Sequence, residues 1–260
     1  MKILMMFTFL FSQLVYAKII TEKIEYKDGA IALEGSIVYD SLQIKNNQKK
    51  PGVIVVHDWM GIGDYVTMRA EQLAKLGYVA FIADIYGQNI KPKDTKEASA
   101  LASKYKSADR KEMRSRAAAA FNTFKTHKFV NPNKITAMGY CFGGTVALEM
   151  ARLGLPLAGA ISFHGGLSAI NTNDAKNIKT KLLILHGALD PYVKPEEVVT
   201  FQKELNEAQV NYEFVSYSGA VHAFTEKHVG TDISTGAAYN ELADQRSFIA
   251  MQNFLSEVSR

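Results

Sequence analysis

The sequence predicts an α/β fold: a mostly parallel central sheet flanked by helices, with an antiparallel hairpin at its N-terminal edge. Three observations carry this. Short β-branched runs alternate with helix-forming segments from residue 52 onward. Those runs are continuously apolar rather than alternating, as strands covered on both faces are. Residues 18–50 instead hold two alternating stretches around Asp28-Gly29, a strong hairpin turn.

The elements follow in order. I-E-Y-K and A-I-A-L-E-G-S-I-V-Y form the hairpin arms, and N-N-Q-K-K-P-G (46–52) is a polar connector. G-V-I-V-V-H (52–57) is a buried strand. Asp64 suits the cap of a helix running to Leu76, which Gly77 ends. Y-V-A-F-I-A (78–83) is the next strand. Residues 95–128 are rich in Ala, Lys, Arg and Glu without Gly or Pro, which predicts one long helix or two short ones, closed by Pro132. K-I-T-A-M-G-Y (134–140) is a strand, and G-T-V-A-L-E-M-A-R-L (144–153) is a helix stopped by Gly154. L-A-G-A-I-S-F-H (157–164) and K-L-L-I-L-H (181–186) are strands. Pro195 opens a helix with Glu196 and Glu197 in its first turn, facing the positive end of the helix dipole. N-Y-E-F-V-S-Y (211–217) is the last strand, and a helix over 239–258 closes the chain.

The totals narrow the function. The chain has 260 residues, 47% hydrophobic and 22% charged, which suits one soluble domain over residues 18–260. A formal charge of +4 without a dense Lys/Arg run gives no footing for nucleic acid. Residues 1–17 read as a secretory signal: Lys2, then a short apolar run, then Val15-Tyr16-Ala17. Cleavage near Ala17 predicts export to the periplasm or the medium, with no membrane span left after processing. The single cysteine excludes an internal disulfide in that oxidising setting.

That cysteine lies in G-Y-C-F-G-G, residues 139–144, between a predicted strand and helix. G-x-C-x-G is the nucleophile-elbow pattern with cysteine in place of serine. The chain must turn sharply there, and a side chain beside the nucleophile would strike its neighbours. A thiol at a helix N-terminus faces the positive dipole end, which favours its thiolate. The Phe142 N–H would point at a developing oxyanion. A lone cysteine is otherwise a small core residue. Downstream, L-H-G-A-L-D-P puts Asp190 just past one strand, and Y-S-G-A-V-H-A-F puts His222 just past the last. Nucleophile, acid and histidine thus follow the order this kind of fold uses, each beyond the carboxyl end of a strand, where open α/β sheets bind ligands.

V-I-V-V-H-D-W-M-G, A-D-I-Y-G, M-G-Y-C-F-G-G, L-H-G-A-L-D and V-H-A-F together resemble the dienelactone hydrolase family, whose members have the α/β-hydrolase fold. The resemblance covers roughly residues 52–228. It implies a Cys141–His222–Asp190 triad, an oxyanion hole from the Trp59 and Phe142 amides, no cofactor, and a small ester or lactone as substrate. The family's glutamate beside the resting thiol matches Asp58, one methylene shorter. The two arginines that hold a substrate carboxylate match Gln88 and Glu226, which cannot replace paired guanidinium groups. A neutral ester or lactone is therefore expected. Asp58, Tyr86, Gln88 and Phe224 are expected to touch substrate, Tyr86 and Phe224 being equally suited to core packing.

Other readings stay open. Gly61-Ile62-Gly63 begins a dinucleotide pattern, but Val66 stands where its third glycine belongs. His57, His164 and His186 end predicted strands and could gather round a metal, yet no close ligand spacing accompanies them; hydrogen-bonded pocket-wall roles fit better. An exported ligand-binding or redox-sensing protein without turnover could use the same fold.

Overall fold

The computed structural model describes residues 17–46, 48–106 and 109–260. The expected signal segment, up to Tyr16, lies outside the described residues. β1 (Ile19–Asp28) and β2 (Ile31–Asp40) form the antiparallel hairpin. β2 then joins β4 (Val79–Ala83), also antiparallel. The other strands, β3 (Lys50–Val56), β5 (Val130–Tyr140), β6 (Gly159–Phe163), β7 (Lys181–Gly187) and β8 (Tyr212–Tyr217), extend a parallel sheet. The order across the sheet is β1-β2-β4-β3-β5-β6-β7-β8.

Successive strand residues face opposite sides, and both sides are covered. Ile54 and Val56 of β3 pack in one core with α2 (Thr95–Lys106), α3 (Lys111–Phe124), α4 (Phe142–Arg152) and α5 (Pro195–Glu207). Val53 and Val55 pack in the other, with α1 (Asp64–Lys75) and α6 (Glu241–Val258). This two-sided burial explains the continuous apolar runs. Behind α4 a buried ionic cluster ties the helices together: Glu149 accepts from Arg110, Arg114 and Arg152, and Arg152 also meets Glu204 of α5.

Over 95–128 the two-helix alternative holds, with Arg110 at φ 53° before the second helix. Boundaries elsewhere depart from the sequence reading in instructive places. Pro132 lies within β5 instead of ending the preceding segment; the register between β3 and β5 is irregular near Lys50 and Gly52. Asp64 does not cap α1. Gly63 is the cap residue, and Asp64 instead supplies a carboxylate to the first turn. α6 begins at Glu241 because the Asn240 side chain accepts the Ala243 N–H at 3.0 Å.

β3 has β4 on one side and β5 on the other. The chain leaves β3 toward β4, then crosses back to β5 and proceeds outward the other way. Such a reversal opens a crevice at the carboxyl ends of the central strands. The loop after β3 carries Trp59, and the turn after β5 carries Cys141.

Candidate active site

The β5–α4 turn is built by what its glycines lack. A Cβ on Gly139 would lie 2.2 Å from Gly143 backbone atoms, and one on Gly143 would lie 2.3 Å from the Val56 carbonyl. Between them Cys141 takes φ 53°, ψ −113°, a conformation that side-chain-bearing residues rarely adopt. Its N–H is held by the Phe163 carbonyl at 3.0 Å and His164 Nδ1 at 3.1 Å. Cys141 is half-buried, and its side chain lines a cleft of about 420 Å³.

His222 borders the same cleft. It sits in the loop after β8, clamped by its own N–H to the Gly236 carbonyl (3.2 Å) and its carbonyl to the Ala238 N–H (3.0 Å). Its Nδ1 meets Asp190 Oδ2 at 2.8 Å. Asp190, in the turn after β7, accepts the Tyr192 N–H on Oδ1 at 2.8 Å. The Tyr192 ring stands edge-on to the imidazole, centroids 5.2 Å apart. Burial alone would lower the His222 pKa. The Cys141 sulfur and the Asp190 carboxylate outweigh it and hold the imidazole well above its ordinary value. The structure therefore brings Cys141, His222 and Asp190 together.

Trp59 and Phe142 also line the cleft. Phe142 is the first residue of α4, so its amide has no carbonyl one turn back within the helix. The Trp59 backbone is fixed through its carbonyl, which accepts the Tyr86 hydroxyl at 2.9 Å.

The other expected contacts are arranged differently. Tyr86 is wholly buried and packs on Phe142, His57 and Tyr105, so it supports the cleft floor rather than lining it. Phe224 is likewise buried, against His164 and Tyr217, and does not reach the cleft. Gln88 turns away after Gly87 and donates to Glu25 on β1 at 3.2 Å. Asp58 folds back to accept the Met60 N–H at 2.6 Å and does not line the cleft; burial raises its pKa.

The three strand-end histidines are engaged separately. His57 Nε2 accepts the Ile85 N–H, which leaves Nδ1–H to donate to the Asp58 carbonyl at 2.7 Å. His164 Nδ1 accepts from Cys141, so Nε2–H donates to Thr225 Oγ1 at 2.8 Å. The His186 ring packs against Phe214. Burial lowers the pKa of all three. Among the described residues no group of His, Cys, Asp and Glu is disposed to hold a metal ion.

Several cleft residues escaped the sequence reading. α2 closes one side with Ser99, Ala102, Ser103 and Lys106. Their spacing of three, one and three places them on one helical face, a stripe of small residues ending in a cation that the sequence does display. Tyr192 and Val193 adjoin Asp190 and could have been drawn from it. In the sequence Glu226 stands out only as an acid at a position where the family has an arginine. It is 3% exposed and lines the cleft. His164 suits a pocket-wall role on sequence, but no sequence signal ties it to the Cys141 amide, a contact made across adjacent strands β5 and β6.

An elbow cysteine at the carboxyl end of a central parallel strand, beside a histidine and an acid from later strand ends, belongs with the α/β class of hydrolases. An α/β hydrolase from a Medee basin deep-sea metagenome library has the same fold, with a TM-score of 0.67 at 16% identity over 92% of this chain and 98% of that one. The model of the Dienelactone hydrolase family matches residues 40–259, and the chain belongs to that family of ester and lactone hydrolases. A crystallised dienelactone hydrolase-like promiscuous phosphotriesterase from metagenomic libraries is 35% identical, with a TM-score of 0.87 over 94% of this chain and 99% of that one. A Bradyrhizobium protein named "Probable 2-oxo-3-(5-oxofuran-2-ylidene)propanoate lactonase" is 30% identical over 185 residues, 68% of this chain and 74% of that protein. Among the described residues no helix is long and apolar enough to cross a membrane.

Proposed function

We propose that the protein hydrolyses neutral carboxylic esters or lactones through a thioester on Cys141. The observation that carries this reading is the hydrogen bond of His222 Nδ1 to Asp190 at 2.8 Å, on an imidazole that shares its cleft with the elbow cysteine. The Cys141 thiolate attacks the acyl carbon and forms a C–S bond. The Trp59 and Phe142 amides receive the oxyanion. His222 gives its Nε2 proton to the departing alkoxide, then takes one from water as that water attacks the thioester and the C–S bond breaks. Asp190 keeps the imidazole in the tautomer that leaves Nε2 free for the thiol proton.

The preference for a neutral substrate is supported by the carboxyl of Glu226 in the cleft and by the distance of Gln88 from it, since neither residue supplies a guanidinium for an anion. A kinetic panel tests the whole reading: a simple ester, a thioester, a neutral lactone, and a dienelactone both as carboxylate and as methyl ester. A neutral phosphotriester joins it because of the relative with that activity. Cys141→Ala is expected to abolish turnover of the esters while the fold remains. Turnover persisting in that variant overturns the nucleophile, and preference for the anionic lactone over its methyl ester overturns the neutral-substrate reading. Covalent labelling of Cys141 without turnover of any substrate would favour the ligand-binding or redox-sensing alternative. Export after cleavage near Ala17 is part of the proposal, and a mature N-terminus other than Lys18 would contradict it.

A further inference from the structure

Glu226 is a buried acidic side chain set in the wall of the cleft, and among the described residues neither of its oxygens has a hydrogen bond. It is 3% exposed and borders the same space as Cys141 and His222. Its Oε1 is fully covered and has no hydrogen-bond partner among the described residues. The His164 Nε2 lies 4.0 Å away, too far to bond and already donating to Thr225. Oε2 has only the exposed His228, at 3.6 Å. A buried polar oxygen left without a partner costs about 1–3 kcal/mol. Oε1 is sealed from the cleft, whereas Oε2 is not fully covered and has no hydrogen bond among the described residues, so it is the oxygen a ligand group in the cleft can reach and satisfy.

The surroundings decide its protonation. Asp58 from the β3–α1 turn opposes ionisation, while Arg69 of α1 and His222 on its own loop favour it. Tyr65 of α1 and Tyr140 of β5 also sense it, His164 faces it from the end of β6, and His228 lies beyond it on the same loop. Arg69 is committed to Asp244 at 2.6 Å and to the Thr225 carbonyl at 3.0 Å, and His222 to Asp190. An ionised Glu226 would add another negative charge to a cleft already holding the reacting sulfur. Burial, with Asp58 adding to it, pushes the Glu226 carboxyl up to about 8.

We propose that Glu226, as an uncharged carboxylic acid, is a specificity subsite that donates a hydrogen bond to a neutral oxygen of the substrate, an ether or carbonyl oxygen beyond the reacting ester. This rests on the ester-hydrolase reading above and names the substrate class within it: neutral esters or lactones carrying a second oxygen acceptor.

The test compares 4-nitrophenyl methoxyacetate with 4-nitrophenyl butanoate, which differ by one oxygen in place of a methylene. The ratio of their kcat/KM values is measured in wild type, Glu226→Leu and Glu226→Gln, so that the intrinsic reactivity of the two esters cancels between proteins. The Leu variant should lower the ratio roughly three- to tenfold, the span of one neutral hydrogen bond, while Gln, which keeps a donor, should stay within about twofold of wild type. In wild type the ratio should fall as pH rises through about 8, and in Glu226→Gln it should stay flat. Should the Leu protein not fold, the pH comparison of wild type with Gln decides alone. A ratio unmoved in Leu, or in wild type between pH 6 and 9, overturns the subsite. A loss in Gln as large as in Leu overturns the donor and points to an anionic Glu226 that binds cations. Cleavage of both esters with an unmoved ratio defeats this inference and leaves the hydrolase reading standing, whereas cleavage of neither defeats both.

Discussion

Replacing Asp190 by Asn tests the proposed proton path more sharply than removing it. Asp190 Oδ1 accepts the Tyr192 N–H at 2.8 Å, and Oδ2 meets His222 Nδ1 at 2.8 Å. An asparagine must keep its oxygen on the Tyr192 amide, because an NH₂ there would oppose another donor. Its NH₂ then faces His222 and forces Nδ1 to accept. The ring proton moves to Nε2, where it blocks proton transfer from the thiol. Restoring the working tautomer means flipping the amide and forfeiting a buried hydrogen bond, about 1–3 kcal/mol, and a charge-assisted bond worth about 1.5–3 kcal/mol is lost as well. At 1.36 kcal/mol per decade, the expected fall in kcat is about 10²–10⁴. The assay is steady-state cleavage of a 4-nitrophenyl ester at pH 7, beside the imidazole titration followed by NMR. The charges of Cys141 and Asp190 hold His222 well above its ordinary pKa against burial, so the variant imidazole should titrate lower. Turnover within tenfold of wild type, or an unmoved titration, refutes this account of Asp190.

Gly143→Ala would place a Cβ 2.3 Å from the Val56 carbonyl and 2.6 Å from that of His57, both backbone atoms that cannot rotate aside. Overpacking of about 1–3 kcal/mol and a displaced Phe142 amide should leave a folded protein with kcat down roughly 100-fold; wild-type kcat in a soluble variant would contradict the elbow geometry. Glu149→Gln removes the carboxylate shared by Arg110, Arg114 and Arg152. The loss should be about 3–5 kcal/mol, or roughly 6–20 °C in Tm by calorimetry at pH 7. Burial would raise the Glu149 pKa, but the three guanidiniums prevail and lower it. Its contribution is therefore present above the unfolded-state value near 4.3 and lost as pH falls through the lower folded value. The Tm gap should close in strong acid, and a gap independent of pH would show that packing rather than charge is responsible.

The fold was legible because the strands are continuous apolar runs and the helices have clear stops, and both follow from burial on two faces of one sheet. That Cys141, Asp190 and His222 would meet at one end of the sheet was legible because glycine spacing and strand ends are written locally. The failures share a different cause. Tyr86 is turned inward by the Asp84 carboxylate, which takes the Tyr86 and Gly87 amides, and by Arg116 on the Tyr86 carbonyl. Gln88 is then carried toward Glu25, a residue sixty-three positions earlier. Phe224 follows Ala223, whose φ of 55° fixes which neighbour of His222 faces the cleft. These orientations depend on partners from distant elements, so matching residues to a family pattern names the position without fixing where its side chain points.

One electrostatic pattern unites the site. His57 and His164 each use one ring nitrogen as the acceptor for a backbone amide, and protonating either would break that bond. For His164 the amide is that of Cys141 itself, so a charged His164 would leave that N–H to the Phe163 carbonyl alone. Burial keeps its pKa well below the ordinary value, and the nearby His222 charge lowers it further. The His164 Nε2–H runs to Thr225 Oγ1, Thr225 meets the Tyr65 hydroxyl at 2.6 Å, and Arg69 donates to Tyr65 at 3.2 Å. Thr225 stands three residues after His222, so this chain links the Cys141 backbone to the loop that carries His222. An uncharged His164 beside a charged His222, ring centroids 5.2 Å apart, suits the proposed cysteine mechanism: one imidazole to hold and return a proton, and a second whose neutrality preserves a hydrogen bond to the Cys141 amide.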